Sequence, residues 1–580
     1  MARRDRPLIE HHRRILAKER GTVFKEPGGR LNLVVLYPNT YRVGAANLGL
    51  QTVYRIINAR SDALCERAFL PDGATAPLYR KSGAPLLSLE SSRPVAEFDL
   101  VLATVAFEND LPHLAAMLQQ AGLGMSAAER RGPLVVAGGV VPMLNPEPMA
   151  ELVDACLLGE AEVVLEPFID AFFELAESER DELLLKLAQR VSGFYAPRFY
   201  QVHYRSDGRL KSMRPTAEVP PRVAAPKYRG PASGLAMTLV STPGAEFGDM
   251  TLIEVGRGCG HGCRFCAAGH LYRPPRLGRA ADFTAPALVM AAAGRKVGLV
   301  SAAVSDIDDV DQLAGQVVAA GGRVSVSSLR ADRLTPGLAR ALAASGAKSV
   351  ALAPEAGSRR LRRVINKGIE EDDLAQAVEM LITAGVPNLR LYFMVGLPGE
   401  SGADIDEIIA LARRVRQQVV SLSRPRGRLG RVTLSLSPMV PKPLTPLQWE
   451  PMAPLAVIKR RLGLIKRELK SLPNLKVNSE VPKYSLLQAV LSRGDRRLAP
   501  LIQALARGQG PERAYAQAGV RPEFYAERRR DRDELLPWSI VDHGIDEGYL
   551  WSEALRASHH KPSPECAPDA CRRCGVCGGD

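Results

Sequence analysis

Two stretches of the chain alternate short apolar runs with longer segments whose apolar residues recur every three to four positions. In the first, Leu31–Tyr37 (LNLVVLY), Phe98–Val105 (FDLVLATV), Pro133–Ala137 (PLVVA) and Asp154–Leu158 (DACLL) read as buried parallel strands. An amphipathic helix follows the loop after Tyr37, and further helices are expected over Leu111–Ala121 and from Val163 to about Ala176. This alternation predicts an α/β fold with a doubly wound, Rossmann-like sheet. In the second stretch, apolar strands are expected at Thr251–Val255, Lys296–Val304, Arg323–Leu329, Lys348–Ala353, Asn388–Val395 and Arg431–Ser437. Helical periodicity fills Thr284–Ala293, Thr335–Ser345, Asp372–Ala384 and Ile405–Val415 between them. Six parallel strand-helix units predict a partial (β/α)6 barrel, with its site at the C-terminal ends of the strands.

The rest of the chain separates by composition. Residues 1–30 form a basic arm closed by the turn Pro27–Gly29. The Rossmann-like unit then spans 31–194. Residues 195–245 lack periodicity, are rich in Pro, Arg and Tyr, and read as a linker with a short strand over Ala236–Ser241. The barrel occupies 246–450. Residues 451–535 are helical and basic, and their turn Ser492–Arg497 (SRGDRR) reads as a solvated helix-loop rather than the lining of an entrance. Residues 536–580 form a C-terminal segment with a Cys-rich tail.

A chain of 580 residues exceeds one ordinary core. No apolar run reaches the ~20 residues that span a bilayer. The charged N-terminus has no apolar h-region, so no membrane association and a cytoplasmic location are expected. The net charge of +14 suits a polyanion such as RNA, or reflects an arginine-rich proteome; aromatic residues, at 5%, are sparse for base stacking.

The nine cysteines are clustered, which argues for metal ligation and not for a disulfide framework. Cys65 and Cys156 stand alone and read as buried thiols. Cys259, Cys263 and Cys266 form a C-x3-C-x2-C triplet in the loop EVGRGCGHGCRFCAAG, immediately after a strand. Three thiolates leave one iron of a [4Fe-4S] cluster open, whereas closed structural sites use four ligands. A zinc knuckle completed by His261 or His270 is the structural alternative. The tail carries Cys566, Cys571, Cys574 and Cys577 with spacing C-x4-C-x2-C-x2-C. That set suits zinc or a complete second Fe–S cluster.

The triplet, with Phe265 before its last cysteine, resembles the radical S-adenosylmethionine (radical SAM) superfamily. So do EAGSRRLRRVINKG at Glu355–Gly368, GLPGE at Gly396–Glu400 and VPKPLTPLQW at Val440–Trp449, which resemble the methylthiotransferase-like members. The resemblance covers roughly 246 to 450. It implies a [4Fe-4S] cluster on the triplet, S-adenosylmethionine on its open iron, and reductive cleavage to a 5′-deoxyadenosyl radical. It also implies an electron donor such as a flavodoxin or ferredoxin. By position, Phe265, Ser328, Arg330, Glu355 and Gly396 would hold S-adenosylmethionine. The family's Gly-Gly-Glu after the second strand reads Ser301-Ala302-Ala303 here, which leaves the main chain around Ala302 to bind the amino group. Upstream, the Gly138-Gly139 turn, Pro146-Glu147, Asp154 and Gly159-Glu160 resemble the cobalamin-binding domain that precedes many radical SAM cores. The cobalt-ligating D-x-H-x-x-G register reads Asn39 to Gly44, with Tyr41 in place of the histidine and Gly44 kept. The domain either binds cobalamin without an imidazole ligand or retains only the fold.

Two functions stay open at this level. One is a radical SAM enzyme that transfers methyl or methylthio groups, or makes another radical modification, on an RNA, ribosomal or protein substrate. The other is a non-catalytic, zinc- or Fe–S-containing, basic RNA-associated binding protein.

Overall fold

The structure, a computed structural model, describes residues 5–568 and 570–577. The N-terminal sheet has the order β2-β1-β3-β4-β5-β6, built from β1 (Leu31–Tyr37), β2 (Ala63–Phe69), β3 (Leu100–Thr104), β4 (Leu134–Gly138), β5 (Ala155–Leu157) and β6 (Phe194–Tyr195). The first five strands are parallel, and β6 runs antiparallel to β5. Alternate residues of β1 serve two cores. Leu33 and Val35 pack with Leu50, Tyr54 and Phe168 of the helices Leu48–Ala59 and Ala161–Glu174. Val34 and Leu36 pack with Leu111, Leu114 and Leu118 of the helix Leu111–Gln120 on the opposite face. Burial of both faces explains why this strand reads as an uninterrupted apolar run.

Strand β2 was not expected from the pattern, and the reason is electrostatic. Its centre is Cys65-Glu66-Arg67, which breaks the apolar run. Arg67 is nevertheless buried, paired with Glu19 of the arm and with Glu90, each at 2.6 Å. Two carboxylates supply what desolvation of the guanidinium requires.

The segment expected to be a linker is ordered. An antiparallel hairpin, β7 (Tyr200–Tyr204) and β8 (Leu210–Pro215), is followed by β9 (Val223–Ala224). Val240 lies in the core of the N-terminal unit, and the backbones of Ala236 and Thr238 bond to those of Glu254 and Leu252.

The second unit begins with β10 (Thr251–Glu254), β11 (Gly256–Arg257) and β12 (Arg276–Leu277), the last two forming a small antiparallel pair. β13 (Lys296–Val300) and β14 (Arg323–Val326) continue in parallel from β10. A second parallel sheet holds β15 (Ser349–Glu355), β16 (Asn388–Val395), β17 (Arg431–Pro438) and β18 (Leu475–Ser479). A parallel bridge from Leu329 to Leu352 joins the two sheets into one open barrel wall. The six expected strands are all present. β18 is a seventh, in a stretch that reads as helical; its residues alternate between half-buried and exposed, so no apolar run betrays it.

The C-terminal helical region is clamped onto the N-terminal unit. β19 (Val541–Asp542) pairs with β9. The turn Ser492–Arg497 is not the solvated loop expected. Ser492, Arg493 and Asp495 are buried, Asn145 donates to the carbonyls of Ser492 and Gly494 at 3.0 and 2.9 Å, and Arg496 pairs with Glu147 at 2.9 Å. Among the described residues, no helix is long and apolar enough to cross a membrane.

Candidate active site

The cysteine loop leaves the C-terminal end of β10 and closes into the short helix Ala268–Leu271. Gly258 and Gly262 take positive φ (+84° and +67°), and a Cβ on Gly258 would stand 2.7 Å from the Tyr272 carbonyl oxygen. Only glycine fits that turn without strain. The Cys266 N–H donates to the Cys263 carbonyl at 3.1 Å, and the Arg264 N–H to the Ile365 carbonyl at 3.0 Å. Phe265 packs against Ala356, Leu361 and Leu397, which pins the loop to the ends of β15 and β16.

The three thiols sit within electrostatic range of one another. Burial pushes the Cys259 thiol up to about 12, with Cys263 and Cys266 adding to the effect. Burial, then Cys263, raises Cys266. Thiols so placed stay protonated until a cation displaces the protons, which is the usual coupling of metal binding to deprotonation. Among the described residues, no three Cys, His, Asp or Glu side chains are drawn tightly enough together to form a finished cage. The donor set, three thiols on one glycine-hinged loop, nevertheless has the chemistry of an iron–sulfur site. Of the two nearby histidines, only His261 has both ring nitrogens engaged; Nε2 of His270 is buried without a hydrogen-bond partner. Both ring nitrogens of His261 are engaged, by Asp306 at 2.5 Å and Glu565 at 2.7 Å. Nδ1 of His270 lies 2.9 Å from the Cys266 carbonyl, and its ring is fully buried.

Around this loop the structure gathers some expected residues and adds others. Glu355 ends β15 at φ +66° and faces Lys367 at 3.4 Å. Burial raises its carboxyl above the usual range against the pull of Lys367. Arg330 is buried; it pairs with Asp332 at 2.8 Å and donates to the Lys367 carbonyl at 3.0 Å, so its guanidinium is already engaged. Gly396 is buried at φ +94°, with its N–H on the Glu400 carboxylate at 2.8 Å. Ser328 and Ala302 are exposed at the ends of their strands. Lys367, Asn366 and Arg264 escaped the sequence reading. Arg264 is fully buried, and Asn366 donates to the carbonyls of His261 and Gly262, each at 3.2 Å. Their only sequence signal was a position inside matched motifs.

A second feature lies where the two units meet. A cavity of about 290 Å³ opens at the C-terminal ends of β3, β4 and β5, lined by Thr104, Gly138, Gly139, Gly159, Val140 and Arg257 among others. An ion-pair network forms part of its lining. Arg257, two residues before Cys259, pairs with Glu160, Glu162 and Glu254 at 2.7–2.8 Å, and Arg276 pairs with Glu160 at 2.7 Å. Tyr41 is elsewhere. Its hydroxyl donates to Glu19 at 2.7 Å, its ring stands edge-on to Phe69, and it lines a separate groove beside the basic arm. Gly44 is packed so tightly that a Cβ would meet the Phe69 ring at 2.5 Å.

The tail lies against the cysteine loop. The Cys566 N–H donates to the Gly260 carbonyl at 2.7 Å, and the Ser563 N–H to Asn366 at 2.8 Å. Cys574 is buried beside Trp449, Tyr549 and Leu550. Cys566 and Cys577 feel the charges of Cys571 and Cys574.

Residues 253–412 match the family model of the radical SAM superfamily, and residues 49–197 that of the N-terminal region of radical SAM proteins. An uncharacterized protein of Methanocaldococcus jannaschii is 28% identical over 476 residues, covering 81% of this chain and 90% of its own. Two solved structures are similar at 14% identity. One is the radical S-adenosylmethionine methyltransferase TsrM of Kitasatospora setae with cobalamin and a [4Fe-4S] cluster bound (TM-score 0.45; 70% of this chain, 72% of that one). The other is the cobalamin-dependent S-adenosylmethionine radical enzyme OxsB with aqua-cobalamin and S-adenosylmethionine bound (TM-score 0.45; 84% and 70%).

Proposed function

We propose that this chain, a radical SAM protein matched in both of its α/β units, is an enzyme that reductively cleaves S-adenosylmethionine at Cys259, Cys263 and Cys266 and transfers a methyl group with the aid of a corrinoid. The observation that carries the first part is the three-thiol loop at the end of β10, inside the matched region. When bound, a [4Fe-4S] cluster there would supply the electron that breaks the sulfonium bond. The protein's own groups hold and orient. Phe265 fixes the loop against the strand ends. The buried Lys367–Glu355 pair presents one cationic and one anionic group beside Cys266, suited to the zwitterionic end of an amino acid. Main chain around Ala302, which the sequence resemblance aligns with the family's Gly-Gly-Glu, would bind the amino group. Arg330, already paired with Asp332, shapes the wall rather than clasping a carboxylate.

The cavity at the ends of β3, β4 and β5 supports the corrinoid. Its lining of glycines and apolar side chains, with Thr104 and Arg257 among the polar groups, suits a base and ribose. A corrinoid would therefore insert its nucleotide tail between Gly138, Gly139 and Gly159. Tyr41, tied to Glu19 and lining a separate groove, is not among the residues that would hold a corrinoid in that cavity. The net charge of +14 makes RNA or a ribosomal component the first substrate to test, with a flavodoxin or ferredoxin as donor. Cobalt per chain after loading with hydroxocobalamin tests the corrinoid: about one in the wild type, and a loss in Val140→Trp, which fills the cavity. No cobalt in the wild type would leave cobalamin-independent radical chemistry on the same loop.

A further inference from the structure

The described residues of the tail, 561–568 and 570–577, are not an appendage. They are built onto the cysteine loop by contacts reaching each of its two halves. Gly260, next to Cys259, accepts the Cys566 N–H at 2.7 Å. His261 and Arg333 hold Glu565 at 2.7 and 3.3 Å. Arg264, between Cys263 and Cys266, donates to the Lys561 carbonyl at 2.7 Å and to the Ser563 hydroxyl at 2.8 Å. Arg273, which donates to the Gly269 carbonyl at 2.9 Å, also donates to the Tyr549 hydroxyl at 2.8 Å, and Tyr549 packs in one apolar cluster with Cys574. The tail forms one wall of an open cleft of about 600 Å³, whose other walls include Gly260, Asp306 and Arg333.

Within this segment four cysteines with the spacing C-x4-C-x2-C-x2-C fall in twelve residues, although their side chains are not drawn into a finished cage. Cys574 is buried in an apolar cluster, while Cys566, Cys571 and Cys577 stay half-exposed. Arg572 donates to the Cys571 carbonyl at 3.2 Å and Arg573 to the Pro564 carbonyl at 2.8 Å, which keeps two guanidiniums within the segment. Four thiolates would otherwise crowd like charges, and a metal together with the guanidiniums offsets them. The backbone between them contains helix-free turns and little apolar surface, so a segment of this length has few means of its own to stay folded.

We propose that Cys566, Cys571, Cys574 and Cys577 take up a second thiolate-bound metal centre, zinc or a complete iron–sulfur cluster, and that this metal fastens residues 561–577 as a cap on the radical SAM cluster loop. The metal centre stands independently of the loop's own chemistry; the cap's role rests on the loop holding the first cluster.

The test uses full-length protein in three forms: wild type, Cys571→Ala/Cys574→Ala, and a loop variant with Cys259, Cys263 and Cys266 all changed to Ala. Each is reconstituted anaerobically with iron and sulfide, with and without zinc, and iron and zinc are counted per chain. The tail variant should lose either one zinc or about four irons while keeping the loop's four. Hydrogen exchange at the Ser563 and Cys566 amides should then accelerate at least tenfold. Cys577→Ser, at a half-exposed position, should show the same loss without risk to the buried cluster around Cys574. Metal content unchanged in both tail variants, or exchange unchanged despite metal loss, overturns the proposal. The loop variant separates the two readings: it should keep the tail's metal. If it loses no iron, the reading of the loop fails and the cap's role fails with it.

Discussion

Replacing Arg264 by methionine should release the tail from the cysteine loop without removing a thiol. The guanidinium is fully buried and donates five hydrogen bonds: to Glu553 at 3.1 Å, to the carbonyls of Arg363 and Val364 at 2.9 Å each, and to the Lys561 carbonyl and Ser563 hydroxyl at 2.7 and 2.8 Å. Methionine keeps most of the volume, so the cavity contribution is small. What is lost is pairing. Breaking one side of a buried ion pair costs about 3–5 kcal/mol. Glu553 keeps its bond from Ser563 at 2.5 Å and a longer contact to Arg573 at 3.6 Å, which places the cost near the low end. About 3 kcal/mol in local opening corresponds to roughly 150-fold in the opening equilibrium. Hydrogen exchange of the Ser563 and Cys566 amides should therefore accelerate on the order of 100-fold, while amides of β1 and β3 keep their rates. Adding Glu553→Gln should recover part of the loss, because the orphaned carboxylate is the main penalty. Exchange accelerated less than threefold in the single variant would refute the reasoning, since it would mean that Arg264 does not couple loop and tail.

The other expectations concern cofactor binding, domain contact and acid stability. Lys367→Met should weaken S-adenosylmethionine binding about tenfold, or roughly 1.4 kcal/mol, read from titration of the reconstituted protein; unchanged affinity would remove Lys367 from the site. Arg257→Met, which leaves Glu162 and Glu254 without their guanidinium while Arg276 still holds Glu160, should destabilise the contact between the units by about 3 kcal/mol, seen as a lower urea midpoint. His12 and His543 are buried, and burial lowers their proton affinities to about 4 and about 3. Between those values and 6.5 the unfolded chain binds more protons than the folded one, so stability is present above pH 6.5 and lost as pH falls. Each should contribute about 2 kcal/mol of loss between pH 8 and pH 5, measured as a falling urea midpoint. A midpoint flat across that range, or unchanged in slope by His543→Gln, would contradict the burial of these rings.

Legibility in the sequence followed how local each feature's cause is. β1 is recoverable because LNLVVLY is buried on both faces and needs no partner to explain it. β2 is not, because the two carboxylates that make Arg67 tolerable come from Glu19 and Glu90, 48 and 23 residues away. β18 carries no apolar run, since it lies half-exposed beside β17. The cysteine loop was legible because three ligands and their glycines fall within one turn of chain. The groups that support it were not: Arg264 and Asn366 reach it through bonds spanning about 100 to 300 residues. The position of Tyr41 depends on the N-terminal arm, which no local motif announces.

The most direct measurement is electron paramagnetic resonance of the anaerobically reconstituted, dithionite-reduced protein, with and without S-adenosylmethionine, in the wild type and in Cys263→Ala. A reduced [4Fe-4S] signal that shifts when S-adenosylmethionine is added, and that disappears in Cys263→Ala, is the expected result, because only a cluster with an open iron meets the cofactor. A wild type with no such signal, or one whose signal is indifferent to S-adenosylmethionine and survives in Cys263→Ala, would contradict the assignment of the loop.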